Sequence, residues 1–327
     1  MGCFLTLVEP IVVFKSLADS FYDTALLMVV YNQCNRTADN STYYEQQKEA
    51  SKFFLFYDII SCLVPLLPAV TLGKCADKRG LKILTVIPLL GYLLGRSFLF
   101  FIEMFKLPQY VMFIGHAVTG LCGGYPAYWT GINAIAALRS TNNNRSVRMS
   151  SLELSSGIAK LLGSILSGHI FMIPNNHTGL PVTVLSLALY TLSVVYSAFI
   201  IKYPAVTADE QRGLLPSPIE EKKDMRAMVY LFVAANIFYL GMLGGENVIS
   251  LFVLKPPLSW DAIWVGYGHA ATNMMYVTSF LAVLIGSKYL SDTFLILTGI
   301  FSNCAGMVMM SFVKQSYLFF IGKFVRY

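Results

Sequence analysis

Charge is what this sequence has least of. Asp, Glu, Lys and Arg make up 13% of the 327 residues, while apolar residues make up 56%. Ordinary soluble domains carry roughly 25% charged and about 45–50% apolar residues. A soluble domain of this length leaves roughly a quarter of its chain surface in water. That surface cannot be covered from so small a polar supply, so lipid is the expected solvent. The same scarcity excludes a disordered chain, which needs high charge and few apolar residues, and it argues against a cytosolic enzyme.

Other absences narrow the class further. Six cysteines are present but no CxxC pair, so neither a zinc ribbon nor a thioredoxin-type motif is available. Cys3, Cys62, Cys75, Cys122 and Cys304 lie in or beside apolar runs and read as small packing residues. There is no GxSxG, no HExxH, no phosphate-binding glycine loop and no cluster with metal-ligand spacing. No catalytic residue, cofactor or metal is therefore expected, and the protein is not read as an enzyme. A basic face for nucleic acid is also missing. The net charge of +6 is concentrated in two short stretches, Lys74–Lys82 and Arg139–Arg148, each contributing +3.

What is present is a series of long apolar runs. Runs of about twenty residues suffice to cross a bilayer as helices, and helices satisfy their own backbone groups there. Nine runs stand out, at 5–30, 53–73, 83–105, 110–138, 149–173, 180–201, 227–254, 261–287 and 293–313, and a tenth begins near Tyr317. Glu9, Lys15, Asp19 and Asp23 interrupt the first run, which fits a retained span better than a cleaved leader. With the N-terminus in the cytoplasm, thirteen Lys and Arg fall in inner loops and six in outer loops, the bias expected of a multi-pass protein. Glycosylation sequons at Asn35, Asn40 and Asn176 then fall outside, and Asn144 falls inside.

The longest inner loop follows the sixth run and contains Pro204, Pro216 and Pro218. Six spans, a cytoplasmic linker and further spans describe two six-helix halves. The expected fold class is an all-α membrane protein with the major facilitator architecture. Residues 1–201 form the N-terminal six-span half, 202–226 the linker, and 227–327 an incomplete C-terminal half. On this count the chain is a fragment with nine spans and the start of a tenth.

Gly73, Asp77, Lys78, Gly80 and Lys82 lie between the second and third runs and resemble the facilitator loop motif Gly-x-x-x-Asp-Arg/Lys-x-Gly-Arg-Arg/Lys. An aspartate there can take charge-assisted bonds that latch an inner gate. Leu81 stands where the motif carries arginine. Charges inside the runs are costly, roughly 2.5–3.5 kcal/mol each on insertion scales, and mark functional candidates. Lys15, Asp19 and Asp23 share one face of the first run at i+4 spacing, and Lys15 can pair with Asp19. Asp23 can face a central cavity. Arg96, mid-span, calls for an anionic partner: a solute, or a carboxylate such as Asp58 or Glu103. Glu153 is either a carboxylate that binds protons when desolvated or one paired to the nearby basic cluster. Lys160, Glu246, His116, His169 and His269 are weaker candidates. The glycines at 120, 123, 124 and 131 read as close helix packing.

Beyond single motifs, several stretches carry a family resemblance. They are Val8-Glu9-Pro10 with Tyr22-Asp23, Arg145-Ser-Val-Arg148 running into Glu153, Ser167-Gly-His169, Leu251 to Trp260, Val265-Gly-Tyr-Gly268 and Phe312 to Tyr317. In order and spacing they resemble the solute-carrier family that contains the proton-coupled folate transporter, and its thymic branch in particular. The resemblance implies a twelve-span facilitator that imports small hydrophilic molecules with protons. Folates are implied as one substrate class and muramyl-type peptides for the thymic branch. Glu153 matches the family's proton-coupling glutamate and Asp77 its loop aspartate. Asn35 and Asn40 fall in its glycosylated loop. Met242 replaces the family's span-seven histidine and Ser259 a loop cysteine, which leaves Cys34 without the disulfide partner some members offer. These departures point away from folate itself.

The expectation is a proton-coupled secondary transporter importing a small hydrophilic organic anion or peptide-like solute. Asp23, Arg96 and Glu246 would line the substrate cavity, and Glu153 would carry the proton. Its partners are the solute, protons and the bilayer, with no nucleic acid. The plasma membrane is the expected location, with the endolysosomal membrane as the alternative. A non-transporting receptor or scaffold on the same fold is the competing reading.

Overall fold

The computed structural model describes residues 8–36, 43–140, 145–172, 179–201, 203, 226, 230, 233–234, 237, 241, 245, 248–254, 258–286 and 292–326. Every regular element among them is helical. The helices are α1 (Glu9–Arg36), α2 (Tyr43–Leu63), α3 (Leu66–Arg79), α4 (Lys82–Phe105), α5 (Val111–Leu121), α6 (Gly124–Leu138), α7 (Arg145–Phe171) and α8 (Leu180–Val195). After them come α9 (Ala262–Gly286), α10 (Asp292–Ser311) and α11 (Ser316–Arg326). A π-helical turn, Tyr196–Ile200, ends α8. The described residues between 226 and 252 are helical too.

Several boundaries differ from the hydropathy reading, each for a local reason. The first helix runs on to Arg36 and carries Asn35 in its last turn, because no glycine or proline interrupts residues 31–36. The second begins at Tyr43, ten residues early, because Glu, Gln, Lys and Ala in Tyr43–Lys52 are strong helix formers despite their polarity. The expected inner loop at 74–82 is mostly helix. Gly73, Asp77 and Lys78 belong to α3, and Lys82 already opens α4. Gly80, at φ +92°, makes the turn between them and donates its N–H to Ala76 O, a conformation glycine adopts without strain.

The fourth run is split into α5 and α6 at Cys122–Gly123, where Gly123 and Gly124 both have positive φ. The second run breaks at Val64–Pro65. The two breaks face each other: side chains at 120 and 124 would press on Val64 and Pro65.

Among the described residues, four helical stretches are long and apolar enough to cross a membrane: Lys48–Arg79, Lys82–Phe105, Arg148–Phe171 and Leu180–Ile200. Much of their apolar surface points outward, as Leu55, Leu67, Leu94, Leu162 and Leu192 do.

Helix α1 is the central element. It packs against α7 and α8 on two sides and against α2, α4 and α9 elsewhere. Its contact with α7 carries a ladder of hydroxyls four residues apart. Ser16 meets Ser156 at 2.7 Å, Ser20 donates to Lys160 O at 3.0 Å, and Thr24 meets Ser167 at 2.8 Å. Interhelical bonds of this kind act as glue where there is no water to compete. α7 in turn crosses α9 closely, through Gly157, Gly168 and Gly266.

The two ends of the molecule pack differently. At the end where α1 meets α2, Leu26, Leu27 and Val30 share one apolar cluster with Leu251, Val253, Leu254 and Val265. Tyr31 also donates to Leu254 O at 3.4 Å. Towards the N-terminus, the corresponding cluster consists of Val8, Ile11, Val12, Leu89, Tyr128, Ile132, Leu152, Tyr190 and other residues that all precede 202. Among the described residues, the two parts of the chain share an apolar cluster at the first of these ends, and α7 meets α9 along its length.

Candidate functional site

Helix α1 brings three charges into the interior. Lys15 Nζ lies 2.7 Å from Asp19 Oδ2, with both side chains buried. The i+4 spacing of one helix face makes this pair. Three tyrosine rings receive the ammonium, Tyr92 at 4.4 Å, Tyr128 at 5.0 Å and Tyr125 at 5.3 Å. Each such ring offsets part of the ion's lost hydration, by about 0.5–2 kcal/mol. Tyr190 donates a short hydrogen bond to the other carboxylate oxygen, Asp19 Oδ1. The pair is thus locked from both sides.

Arg96, on α4, is 8% exposed. Its Nη1 donates to Tyr57 Oη at 2.9 Å, and its guanidinium lies 3.7 Å from the centre of the Tyr22 ring. Tyr22 and Tyr57 hydroxyls meet at 3.2 Å, and His116 stacks on Tyr57 with centroids 3.9 Å apart. This corrects the expectation of Glu103 as its carboxylate partner. Glu103, near the end of α4, faces the start of α8 instead and accepts from the Thr183 hydroxyl at 3.1 Å. A planar guanidinium can be held by a ring face and a hydroxyl instead. The Nε of Arg96 is buried without a hydrogen-bond partner.

Asp23 stands apart. From residue 8 to residue 34 of the α1 segment it is the only exposed residue, although neighbouring helices enclose α1. Its carboxylate therefore opens onto an internal space rather than onto lipid. Arg96, Asp19, Lys160 and Lys15 all lie within electrostatic reach of it.

Helix α7 supplies the facing wall. Glu153, Ser156 and Lys160 fall on one face, two turns from end to end. With Lys15, Asp19, Tyr125, Tyr128 and Tyr276 they line a cavity of about 40 Å³. Lys160 Nζ reaches Tyr276 Oη of α9 at 3.4 Å. Glu153 is exposed, and among the described residues it makes no ion pair. Arg148, one candidate partner from the basic cluster, pairs with Glu9 instead.

The remaining expected residues scatter. Gly73, Asp77, Lys78, Gly80 and Lys82 sit together at the α3–α4 turn, with Asp77 exposed. Glu246, Met242, Asn40, Asn144 and Asn176 lie outside the described residues. His116 is buried, whereas His169 is exposed. His169 bridges α7 to α9 through Tyr267 Oη at 3.3 Å. His269 is half-buried. Cys34 is a buried thiol that donates to Gln109 Oε1 at 3.4 Å. Tyr203, the start of the expected linker, is pinned by Thr85 and Ser197 hydroxyls, each at 2.7 Å.

The tyrosines were missed at the sequence level. Tyr22, Tyr57, Tyr92, Tyr128, Tyr190 and Tyr276 surround the charges. Their signal was positional: Tyr22 lies three residues after Asp19 and Tyr92 four before Arg96, so each shares a helix face with a charge.

The arrangement can hold charge away from water and expose one carboxylate on each wall of an internal space. Comparisons with known proteins bear on its use. Residues 56–325 match the family model described as Major Facilitator Superfamily. Solute carrier family 46 member 2 of Canis lupus familiaris is 32% identical over 98% of this chain and 76% of its own length. A lysosomal proton-coupled steroid conjugate and bile acid symporter of Gallus gallus is 26% identical over 97% of this chain and 73% of its own. The proton-coupled folate transporter of Rattus norvegicus is 28% identical over 88% of this chain and 64% of its own.

Proposed function

Because the chain belongs to the Major Facilitator Superfamily and, within it, to solute carrier family 46, we propose that it carries a small hydrophilic organic anion across the membrane together with protons. Membership makes it an all-α, multi-pass membrane transporter by family. Its relatives named above handle folate, steroid conjugates and bile acids with protons. For this chain a folate-, muropeptide- or bile-acid-like anion is the proposed cargo.

The observation that carries this reading is the charge balance of the cluster around α1. Lys15, Arg96 and Lys160 stand against Asp19, Asp23 and Glu153 within electrostatic reach or around one cavity. With every group ionised, the six sum to zero. An anion entering such a site makes it negative, and an uncompensated charge away from water costs several kcal/mol. A proton taken up by an exposed carboxylate restores neutrality. Glu153 suits that task because it is exposed and lacks an ion-pair partner.

In this mechanism the two halves rock about a midplane site. Asp23, Arg96 and Glu246 are proposed for the cavity, with Arg96 acting from behind the tyrosines. The α3–α4 turn, with Asp77 exposed beside Lys78 and Lys82, serves the inner gate. With the N-terminus in the cytoplasm, the shared cluster of Leu26, Val30, Leu251 and Leu254 lies on the outer side. The plasma membrane is the proposed location, with the endolysosomal membrane as alternative, and Asn35, Asn40 and Asn176 are the proposed glycan sites.

The experiment is uptake of labelled folate, muramyl dipeptide and taurocholate by expressing cells at acidic and neutral outside pH. Saturable, acid-stimulated uptake of one of them is expected. The Glu153→Gln protein should reach the membrane and lose the acid stimulation. Unchanged pH dependence in that variant would remove Glu153 from the proton role.

A further inference from the structure

The three cations around α1, Lys15, Arg96 and Lys160, are not equivalent, and the difference identifies the one that meets the cargo. Lys15 is buried, ion-paired and covered by three rings. Arg96 is buried, bonded to Tyr57 and roofed by Tyr22. Neither can turn toward a solute without breaking these contacts. Lys160 is only half-buried. Among the described residues its ammonium makes one long hydrogen bond, 3.4 Å to Tyr276 Oη, and lies 5.3 Å from the centre of the same ring. An ammonium has three donors, so most of its capacity is unspent.

Its place in the fold is equally particular. Lys160 lies on α7 at a level where both α1 and α9 contact it. The Ser20 hydroxyl is bonded to the Lys160 carbonyl, and Gly157, one turn earlier, admits Tyr276 against the α7 backbone. Tyr276 belongs to the second part of the chain. The Lys160–Tyr276 contact therefore spans the boundary between the parts, at the cavity that also holds Glu153.

Resting on the transport reading above, we infer that Lys160 is the anion-receiving group of the substrate site, with Tyr276 as the contact it exchanges for the cargo's carboxylate, sulfonate or phosphate. The groups facing it are Lys15 and Asp19 from α1, Tyr125 and Tyr128 from α6, Glu153 and Ser156 from α7, and Tyr276 from α9. Among these, Asp19 is held by Lys15 and Tyr190. Asp23 of α1 is also within electrostatic reach of the ammonium, and Glu153 lies two turns along the same face of α7, at the other end of the cavity. An anion on Lys160 that also contacts Tyr276 or its neighbours ties the two parts together, which is what a rocking carrier needs from its cargo.

The test uses the full chain in proteoliposomes. In the Lys160→Cys protein, 2-sulfonatoethyl methanethiosulfonate should modify position 160, read by peptide mass mapping so that the native cysteines do not interfere. At least one of three probes (folate, taurocholate and muramyl dipeptide) should slow that modification. Simple competition gives roughly a tenfold slowing at ten times the probe's Kd. Coupling of the aminoethyl reagent, which restores an ammonium, should restore uptake, and the sulfonatoethyl reagent should not. In parallel, Lys160→Arg should keep uptake, while Lys160→Met should raise KM roughly tenfold or more, the loss of one charge-assisted hydrogen bond. Position 160 staying unmodified, or being modified equally fast with all three probes, overturns the assignment. Normal KM in Lys160→Met overturns it too. Failure of the proton-coupling reading looks different: acid stimulation would survive in Glu153→Gln while protection at position 160 remained.

Discussion

Gly157 of α7 has Tyr276 of α9 directly against its backbone. A methyl group on residue 157 would fall well inside van der Waals contact of the tyrosine's Cβ and ring. The tyrosine cannot swing away cheaply, because the clash is with the root of its side chain and not its tip.

Gly157→Val should therefore push α9 off α7 and carry Tyr276 away from Lys160. Overpacking of this kind costs about 1–3 kcal/mol. The expected result is a melting temperature lower by several degrees and loss of uptake. Gly299→Val serves as control, since nothing lies within 4 Å of a side chain there. Equal stability of both variants would show that the α7–α9 approach is looser than described.

The Lys15–Asp19 pair gives a prediction about non-additivity. Removing one member leaves the other as an uncompensated buried charge, at a cost of about 3–5 kcal/mol. Asp19→Leu alone and Lys15→Met alone should thus express poorly. The double variant should be closer to the parent in folded yield, because it removes both charges and leaves apolar groups of similar size. A fluorescence-detected size-exclusion series would measure this. If the double variant is as impaired as the sum of the singles, the pair has a role that neutralisation cannot replace.

Cys34 offers a check on burial at the far end of α1. Burial pushes its thiol pKa up from the ordinary value, with the Gln109 bond acting weakly in the other direction. A raised pKa means less thiolate at a given pH, and the thiolate is the nucleophile. Alkylation of Cys34 by a water-soluble maleimide should be slower near pH 7 than that of Cys75, which is exposed. Its rate should keep climbing with pH beyond the range of an ordinary thiol. Equal rates at neutral pH would contradict the buried placement.

How much of this was legible beforehand follows the physics. The helices were, because apolar length is a local property of the chain. The Lys15–Asp19 pair was, because i+4 spacing is local too. The partners of Arg96 were not. Tyr22 and Tyr57 belong to two other helices, and only three-dimensional packing brings a ring face and a hydroxyl to one guanidinium. The breaks at Pro65 and at Gly123 could each be suspected from sequence. Their facing one another could not. Lys160 was undervalued for the same reason: its importance lies in Tyr276, which is 116 positions away.

The balance of three cations against three carboxylates leads to a quantitative expectation for coupling. If loading must leave the site neutral, each negative charge on the cargo enters with one proton, and the loaded carrier moves no net charge. Uptake should then be nearly insensitive to a potassium diffusion potential in proteoliposomes, even though moving one charge through 100 mV would be worth about 2.3 kcal/mol. Asp23→Asn deletes one of the negative charges in contact with the internal space. The empty site becomes positive by one, and a monoanion alone neutralises it. Uptake by that variant should depend less on acid at neutral pH, and the return of the empty, charged carrier should make it sensitive to voltage. Glu153→Gln should do the same if both carboxylates share the proton. A voltage effect in Glu153→Gln but not in Asp23→Asn would assign the coupling proton to Glu153 alone, and the reverse would move it to Asp23. Strong voltage dependence in the unaltered protein would mean that the six charges do not act as one neutral set.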